Sequence, residues 1–205
     1  MLLPASDCPE QLCAKYFAEA CMQEIDSPSP HGLVVWFTGL SCSGKSTIAS
    51  AVLQCLRSRR IRAELLDGDD IRRTLSKDLG FSRKDRDENV RRLGFLAALL
   101  SRLGINVLVA AVSPSRESRA KVRQQCEKFI EVYVNAPLSV CEARDTRGIY
   151  SRARRHELTD MTGIDHEYES PDNPDIECCT AQETVMQSVE RVLHVIEGSL
   201  QISRL

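Results

Sequence analysis

The sequence predicts an α/β fold in which a parallel β-sheet carries helices on both of its faces. Two observations lead to this prediction. Short apolar segments alternate along the chain with longer helical segments, as they do in repeated strand–helix units. The first apolar segment, residues 33–37, is apolar at every position, which is typical of a parallel strand buried on both faces.

The elements in the first half of the chain follow in order from this strand. A glycine-rich turn leads to a helix predicted over residues 45–59, and residues 63–66 form a second short strand. Residues 82–103 are predicted as a long helix, because acidic residues near its start suit the positive end of the helix dipole. Gly104 is expected to end this helix.

The second half of the chain continues the same alternation and adds a long polar stretch. Glycines and prolines in that stretch indicate loops, and apolar periodicity near the C-terminus indicates a closing helix. In order, we predict a strand over residues 105–112, a helix over 115–126, a strand over 129–134, a short helix over 137–145, loops over 146–175 and an amphipathic helix over 181–197.

Residues 1–30 differ from the rest of the chain. Leu12, Tyr16 and Phe17 belong to one amphipathic helical pattern, and the Ser-Pro repeat at residues 27–30 breaks it. We therefore expect an N-terminal helical extension with a linker, followed by one main domain over residues 31–205.

The composition is that of a globular protein. The chain has 205 residues, of which 42% are hydrophobic and 27% are charged. The formal net charge of −2 gives no sign of a nucleic-acid binder. No apolar run is long enough to span a membrane. We expect no nucleic-acid partner and no membrane.

The nine cysteines are odd in number and scattered, with no Cys-x-x-Cys pair. This usage is typical of a reduced protein, and the lack of paired spacing argues against a zinc site. The N-terminus also lacks a basic region followed by an apolar core, as a secretory signal would have. We expect a cytoplasmic location.

Residues 39–46 match the Gly-x-x-x-x-Gly-Lys-Ser/Thr pattern of a phosphate-binding loop, between a predicted strand and a predicted helix. Such a loop wraps backbone N–H groups around phosphate oxygens, its lysine reaches the β- and γ-phosphates, and its serine binds Mg²⁺. The fold class is therefore the P-loop NTPase type. We assign ATP binding to Gly39, Ser41, Cys42, Ser43, Gly44, Lys45, Ser46 and Thr47.

GTPases, ATPases and small-molecule kinases share this loop, so the acceptor side must distinguish them. Asp67 and Asp69 end the second strand, where open α/β sheets bind ligands. These carboxylates can hold Mg²⁺ or accept a proton, and the alternative is a turn with helix-capping aspartates. Arg86 and Asn89 share one helix face because they are three residues apart, and Phe81 offers a ring for a base.

Residues 66–72 and 79–92 together resemble two motifs of the adenylylsulfate kinase family. The resemblance covers residues 31–198. Further matches follow in order at residues 113–114, 140–145, 148–150, 153–154 and 162–165.

The resemblance implies transfer of a phosphoryl group from ATP to the 3′-hydroxyl of adenylylsulfate, with Mg²⁺ as cofactor, in a homodimer that works with an ATP sulfurylase. It implies catalytic roles for Lys45, Asp67 and Ser113, and a metal site at Ser46 and Asp67. The acceptor-binding residues it implies are Asp69, Arg72, Phe81, Arg86, Asn89, Val112, Ser113, Arg147, Met161 and Thr162.

Ser113 stands where the family has a serine described as a phosphoserine intermediate. Because positioning and Mg²⁺ suffice for direct in-line transfer, we favour a binding or structural role for its hydroxyl. Residues 144–165 are arginine-rich and are interpreted as a lid over the phosphates, with a solvated basic loop as the alternative. Arg152 and Arg154 of this lid are assigned to ATP.

Several positions depart from the family pattern, among them Arg147 in place of a lysine and Thr159-Asp160 in place of Lys-Gly. Asp70 replaces an asparagine, Ser115 a tyrosine, and Met161 a phenylalanine that is expected to sandwich the adenine against the counterpart of Phe81. These departures keep two alternatives open. One is a nucleotide-binding regulatory module with weakened catalysis, and the other is a P-loop kinase for a different nucleoside-type acceptor.

Overall fold

The computed structural model describes residues 31–200, so the predicted helix and linker of residues 1–30 lie outside the described residues. Within that range the chain forms one five-stranded sheet, and all neighbouring strands are parallel. The strand order is β2-β3-β1-β4-β5. The strands are β1 (Val34–Thr38), β2 (Ala63–Asp67), β3 (Asn106–Ala110), β4 (Phe129–Asn135) and β5 (Ile176–Cys179).

Seven helices connect and cover these strands in the described part of the chain. They are α1 (Lys45–Ser58), α2 (Gly68–Arg73), α3 (Arg83–Arg102), α4 (Arg116–Gln125), α5 (Leu138–Ala143), α6 (Ile149–Arg154) and α7 (Val185–Leu200). Both faces of the sheet are covered, as the sequence predicts.

Strand β1 shows why its segment is apolar at every position. Val35 and Phe37 pack into the core under α1 and α7, whereas Val34 and Trp36 pack on the opposite face against α3 and α4. Successive side chains of a strand point to opposite faces, so a central strand needs an apolar residue at each position. The sheet therefore holds β1 rigidly, and with it the loop that follows.

The helices on the second face begin and pack as their sequences dictate. The Ser82 hydroxyl accepts a hydrogen bond from the Asp85 N–H at the start of α3, and Ser115 caps α4 in the same way. Gly94 lies where the two helices meet. A Cβ there would stand 2.4 Å from Cγ2 of Val122, so only glycine allows this close approach.

Several predicted boundaries are wrong, each for a physical reason. The strand predicted over residues 105–112 ends at Ala110, because the residues that follow bend away from the strand and line a cavity. Helix α6 lies within the predicted loops, and β5 was not predicted, since both are too short to show a period. The last helix begins at Val185, where Thr184 and Gln187 form a reciprocal cap.

Among residues 31–200 there is no helix with both the length and the apolar character that a membrane crossing requires.

Candidate active site

The phosphate-binding loop follows β1 at the carboxyl edge of the sheet. Gly39 lies against β4, the neighbouring strand in the sheet. A Cβ at Gly39 would stand 2.4 Å from the Val134 carbonyl oxygen, so no other residue fits. Cys42 and Gly44 both adopt positive φ, 60° and 105°, which curls the loop. Gly44 gives α1 no side-chain cap. Because glycine has no side chain that could cap the helix, the first N–H groups of α1 can bind phosphate oxygens.

Lys45 is folded back into this loop. Its side chain is largely buried, and Nζ donates a hydrogen bond of 2.6 Å to the Leu40 carbonyl. Burial lowers the pKa of Lys45 to about 8. The ammonium group thus lies close to the loop backbone, where its charge is little screened.

Ser46 and Asp67 meet across the site. The Ser46 hydroxyl donates to Oδ2 of Asp67 at 2.6 Å, while Oδ1 of Asp67 accepts the Asp69 N–H at 2.9 Å and caps α2. Asp67 is therefore a helix cap and a functional candidate at once. One hydroxyl and one carboxylate oxygen side by side suit Mg²⁺, which keeps waters and phosphate oxygens as its other ligands.

This donor set is consistent with a second finding. No cluster of three or more His, Cys, Asp or Glu side chains that could hold a metal exists among the described residues.

A cavity extends from the phosphate loop towards α3. It is lined by residues 110–114, which we call the cavity floor, and by Leu158, Thr159 and Met161 of the predicted lid. The predicted residues that it brings together are Ser41, Cys42, Lys45, Ser46, Asp67, Asp69, Arg72, Phe81, Arg86, Asn89, Val112, Ser113, Arg147 and Met161.

An aromatic ring and an arginine stand at one wall of this cavity. The ring of Phe81 is half exposed, and the guanidinium carbon of Arg72 lies 4.6 Å from its centroid. Arg72 also donates to the Gly80 carbonyl at 2.8 Å, which fixes the turn that carries the ring. Phe81 is thus held in place with its ring accessible.

Arg86 and Asn89 lie on one buried face of α3, as their spacing predicts. Arg86 donates to the Phe81 carbonyl at 2.9 Å and to the Asp160 carbonyl at 2.6 Å. Burial, together with Arg72, lowers the pKa of Arg86 to about 10. Oδ1 of Asn89 is buried and has no hydrogen-bond partner within residues 31–200, so it is a candidate to accept a hydrogen bond from a ligand.

Ser113 is engaged in the protein interior. Its hydroxyl accepts a hydrogen bond from Nε1 of Trp36 and donates to Oγ1 of Thr38, both at 3.0 Å. Only 3% of the residue is exposed. Nucleophilic attack by this hydroxyl would break both bonds, so the geometry favours the structural role.

A second cavity flanks the phosphate loop on the side of α7. Arg144 donates to the Thr180 hydroxyl and carbonyl, and the Thr180 hydroxyl donates to the Ser43 carbonyl at 2.8 Å. Val185 is half exposed at the rim, and Thr47 lines the same space. Sequence reasoning missed Thr180 and Val185. No local signal could have found them, since Thr180 reaches Ser43 across 137 residues.

Among the arginines of the predicted lid, Arg147 lines the first cavity. Its Nη1 donates to Oδ2 of Asp69 at 2.9 Å, which bridges the mouth between the lid and α2. The structure places Arg152 and Arg154 elsewhere, next to Glu157 and Glu142, outside the linings of both cavities. Their assignment to ATP stays a prediction.

The departures from the family pattern occupy different surroundings. Asp70 pairs with Arg73 on the exposed side of α2 and does not line the cavity. Met161 is 9% exposed and lines the cavity that Phe81 also lines. Thr162 is buried behind it, and its hydroxyl has no hydrogen-bond partner in the described part of the chain.

A phosphate loop with its lysine, an adjacent Ser–Asp pair and a contiguous cavity on a parallel sheet define a nucleotide-binding protein of the P-loop class. Comparison with known proteins narrows this class. The family model described as "Adenylylsulphate kinase" matches residues 31–179. The chain belongs to the adenylylsulfate kinase family.

Curated relatives agree with this membership. The chain is 52% identical over 166 residues to the adenylyl-sulfate kinase of Gloeothece citriformis, covering 81% of this chain and 94% of that one. It is 54% identical over 161 residues to that of Microcystis aeruginosa, covering 78% and 89%. Among solved structures, the Mycobacterium tuberculosis APS kinase CysC in complex with AMPPNP and APS matches with a TM-score of 0.79 and 44% identity, covering 82% of this chain and 99% of that one.

Proposed function

We propose that this chain is an adenylylsulfate kinase, which transfers the γ-phosphoryl group of ATP to the 3′-hydroxyl of adenylylsulfate and releases 3′-phosphoadenylylsulfate and ADP. One observation carries the proposal. Lys45, Ser46 and Asp67 line the same cavity as Phe81, Asn89 and Met161. An acceptor bound by the second set would therefore share one cavity with the phosphate that the loop holds.

On the donor side, the residues around the loop act by position and charge. The N-terminal N–H groups of α1 hold the phosphate oxygens, and the Lys45 ammonium lies where charge develops on the transferred group. Arg144, kept in place by Thr180, offers its guanidinium to the base of ATP at the second cavity.

Ser46 and Asp67 would hold Mg²⁺. When bound, the ion neutralises charge on the phosphate oxygens. Asp67 is also hydrogen-bonded to Ser46 at the end of the phosphate loop, and it is our candidate for accepting the proton of the attacking hydroxyl.

On the acceptor side, the cavity suits a nucleotide with an anionic group. Phe81 and Met161 would flank the adenine, while the buried Oδ1 of Asn89 would accept a hydrogen bond. Arg72 and Arg147 supply positive charge for the sulfate and phosphate oxygens. Val112 and Thr162 complete the proposed acceptor site, Val112 as part of the cavity lining and Thr162 as a buried residue next to Met161.

The two alternatives have less support. A module with weakened catalysis would not need the buried Lys45 or the Ser46–Asp67 contact, and both are present. A kinase for an uncharged nucleoside would not need the arginines at the cavity wall. Nothing in the described residues favours either alternative over adenylylsulfate.

The wider setting is also proposed. We infer a main domain from residue 31 onwards with a lid at about residues 144–165, and a homodimer that takes adenylylsulfate from an ATP sulfurylase. The six cysteines among the described residues are all free thiols, which supports a reducing compartment such as the cytoplasm.

The test is a coupled ADP-release assay with Mg-ATP, comparing adenylylsulfate with adenosine and other nucleosides as acceptors. We expect ADP release that depends on adenylylsulfate, and formation of its 3′-phosphorylated product. Turnover with a nucleoside but not with adenylylsulfate would overturn the proposal, and so would absence of turnover with any acceptor.

A further inference from the structure

A buried arginine lies directly behind the acceptor cavity, outside its lining. Arg119, on α4, is 3% exposed, and its guanidinium makes three hydrogen bonds of 2.7 Å. Nε donates to the Glu131 carboxylate, Nη1 to the Ser113 carbonyl and Nη2 to the Glu169 carbonyl. A buried guanidinium is costly unless its donors are satisfied, and here two of its three partners are backbone groups of separate loops.

The first of these loops is the cavity floor, residues 110–114. Ser113 within it has a φ of 39°, a left-handed conformation that is uncommon for a residue with a side chain. Such a conformation persists only where the surroundings fix it. The Ser113 hydroxyl is held by Trp36 and Thr38, and its carbonyl by Arg119.

The second loop, residues 166–170, follows the proposed lid. Besides the Glu169 carbonyl bound by Arg119, the Glu169 carboxylate accepts the N–H of Arg116 at 2.9 Å. The Tyr168 hydroxyl is hydrogen-bonded to Oγ1 of Thr38 at 2.9 Å. Since Thr38 also binds Ser113, the two loops are joined through Thr38 and through Arg119, and the Glu169 N–H also donates directly to the Pro114 carbonyl at 3.0 Å.

We propose that Arg119 is a positioning residue for the acceptor. By holding the Ser113 and Glu169 carbonyls on one rigid fork, it fixes the turn at the cavity floor relative to the segment that leaves the lid. Adenylylsulfate then meets a preformed floor, whereas ATP, bound on the other side of the phosphate loop, is unaffected. The inference rests on the proposed function.

The test variant is Arg119→Lys. Lysine keeps a positive charge beside Glu131, but a single ammonium group cannot reproduce the planar fork that reaches both carbonyls. We expect the KM for adenylylsulfate to rise about tenfold, as for the loss of one charge-assisted hydrogen bond. The KM for ATP is expected to stay within about twofold of the wild-type value.

Arg123→Lys is the matched control. Arg123 lies one turn further along α4 and pairs with Asp175 at 2.6 Å, without a hydrogen bond to either loop carbonyl. A change in Arg123→Lys equal to that in Arg119→Lys would overturn the inference, because it would reflect a general effect on α4. Calorimetric titration of adenylylsulfate with ADP and Mg²⁺ present gives the same comparison without turnover.

Melting temperatures separate positioning from stability. A lower melting temperature of Arg119→Lys with both KM values unchanged would overturn the inference. If Arg119→Lys does not fold, Tyr168→Phe is the second test, since it removes the hydroxyl that joins the same two loops through Thr38. A rise of a few-fold in the KM for adenylylsulfate alone supports the inference, and unchanged kinetics overturn it. A wild-type protein that does not release ADP with adenylylsulfate as acceptor would instead overturn the proposed function.

Discussion

The donor and acceptor halves of this site are built in different ways. The phosphate loop is one continuous segment that presents backbone N–H groups and a single buried ammonium, that of Lys45. The acceptor half gathers side chains from α2, α3, the cavity floor and the lid, including Arg72, Asn89 and Met161. The phosphate loop of the donor half is thus encoded locally, whereas the acceptor half exists only once the fold has assembled it.

This difference teaches where substrate choice resides. Any nucleoside triphosphate chain fits a ring of backbone donors, so the phosphate loop identifies a chemistry shared by many proteins. The acceptor half instead uses fixed side chains with directional hydrogen bonds, such as the unpartnered Oδ1 of Asn89 in the described structure. Changes in the donor half should therefore act on turnover, and changes in the acceptor half on the affinity for one substrate.

The largest effect is expected for Lys45→Ala. The variant removes the charge that faces the transferred phosphate, so we expect kcat to fall by about a thousandfold or more, as for loss of a key transition-state donor. Circular dichroism and a melting curve check that the protein stays folded. Near-normal kcat in a folded variant would contradict the phosphoryl-transfer role of the donor half.

Asn89→Ala and Arg86→Ala should act on the acceptor half alone. Each removes a polar group at the cavity, and we expect the KM for adenylylsulfate to rise by about ten- to a hundredfold, with little change in the KM for ATP. Arg91→Ala is the control, because Arg91 lies on the exposed face of the same helix and pairs with Glu88. Equal changes in both KM values would show that the two halves are not separate.

The pH dependence should carry the signature of the donor half. Because burial lowers the pKa of Lys45 to about 8, the free enzyme loses this charge as the pH rises through 8, and kcat/KM for ATP should fall about tenfold per unit above it. The same lowered pKa stabilises the folded state as the pH rises, although it reduces activity. Between about pH 8 and 10.5 the unfolded lysine keeps a proton that the folded one has lost, so this group makes unfolding less favourable as the pH rises.

The measurement for this prediction is a rate profile between about pH 6.5 and 9.5, with Lys45→Arg as control because guanidinium does not deprotonate in that range. An alkaline limb that persists unchanged in a still active Lys45→Arg variant would assign the titration to another group.

Met161→Phe should give the smallest effect. An aromatic ring opposite Phe81 adds about 1 kcal/mol of stacking, and the thioether already provides part of it, so we expect adenylylsulfate to bind a few-fold more tightly, and at most about tenfold. Calorimetric titration with ADP and Mg²⁺ measures it. Loss of affinity with an intact fold would mean that Met161 does not reach the adenine.

The same contrast explains what the sequence could predict. The phosphate loop could be found because its spacing within eight residues is itself the mechanism, and the shared face of Arg86 and Asn89 follows from helix geometry. The contact of Thr180 with Ser43 and the short strand β5 could not be found, because long-range packing determines both. Predicted β3 ran two residues too far, since an apolar residue such as Val112 suits a cavity floor as well as a sheet.

The ion pair between Arg147 and Asp69 has a consequence for how substrates arrive. Both side chains are more than half exposed, and such pairs contribute about 0–1 kcal/mol, which alters an equilibrium by no more than about fivefold. This ion pair by itself therefore adds little to holding Arg147 against Asp69, and salt weakens it further. A higher ionic strength should accordingly lower the association rate of the anionic acceptor, because dissolved ions screen the guanidinium that attracts it.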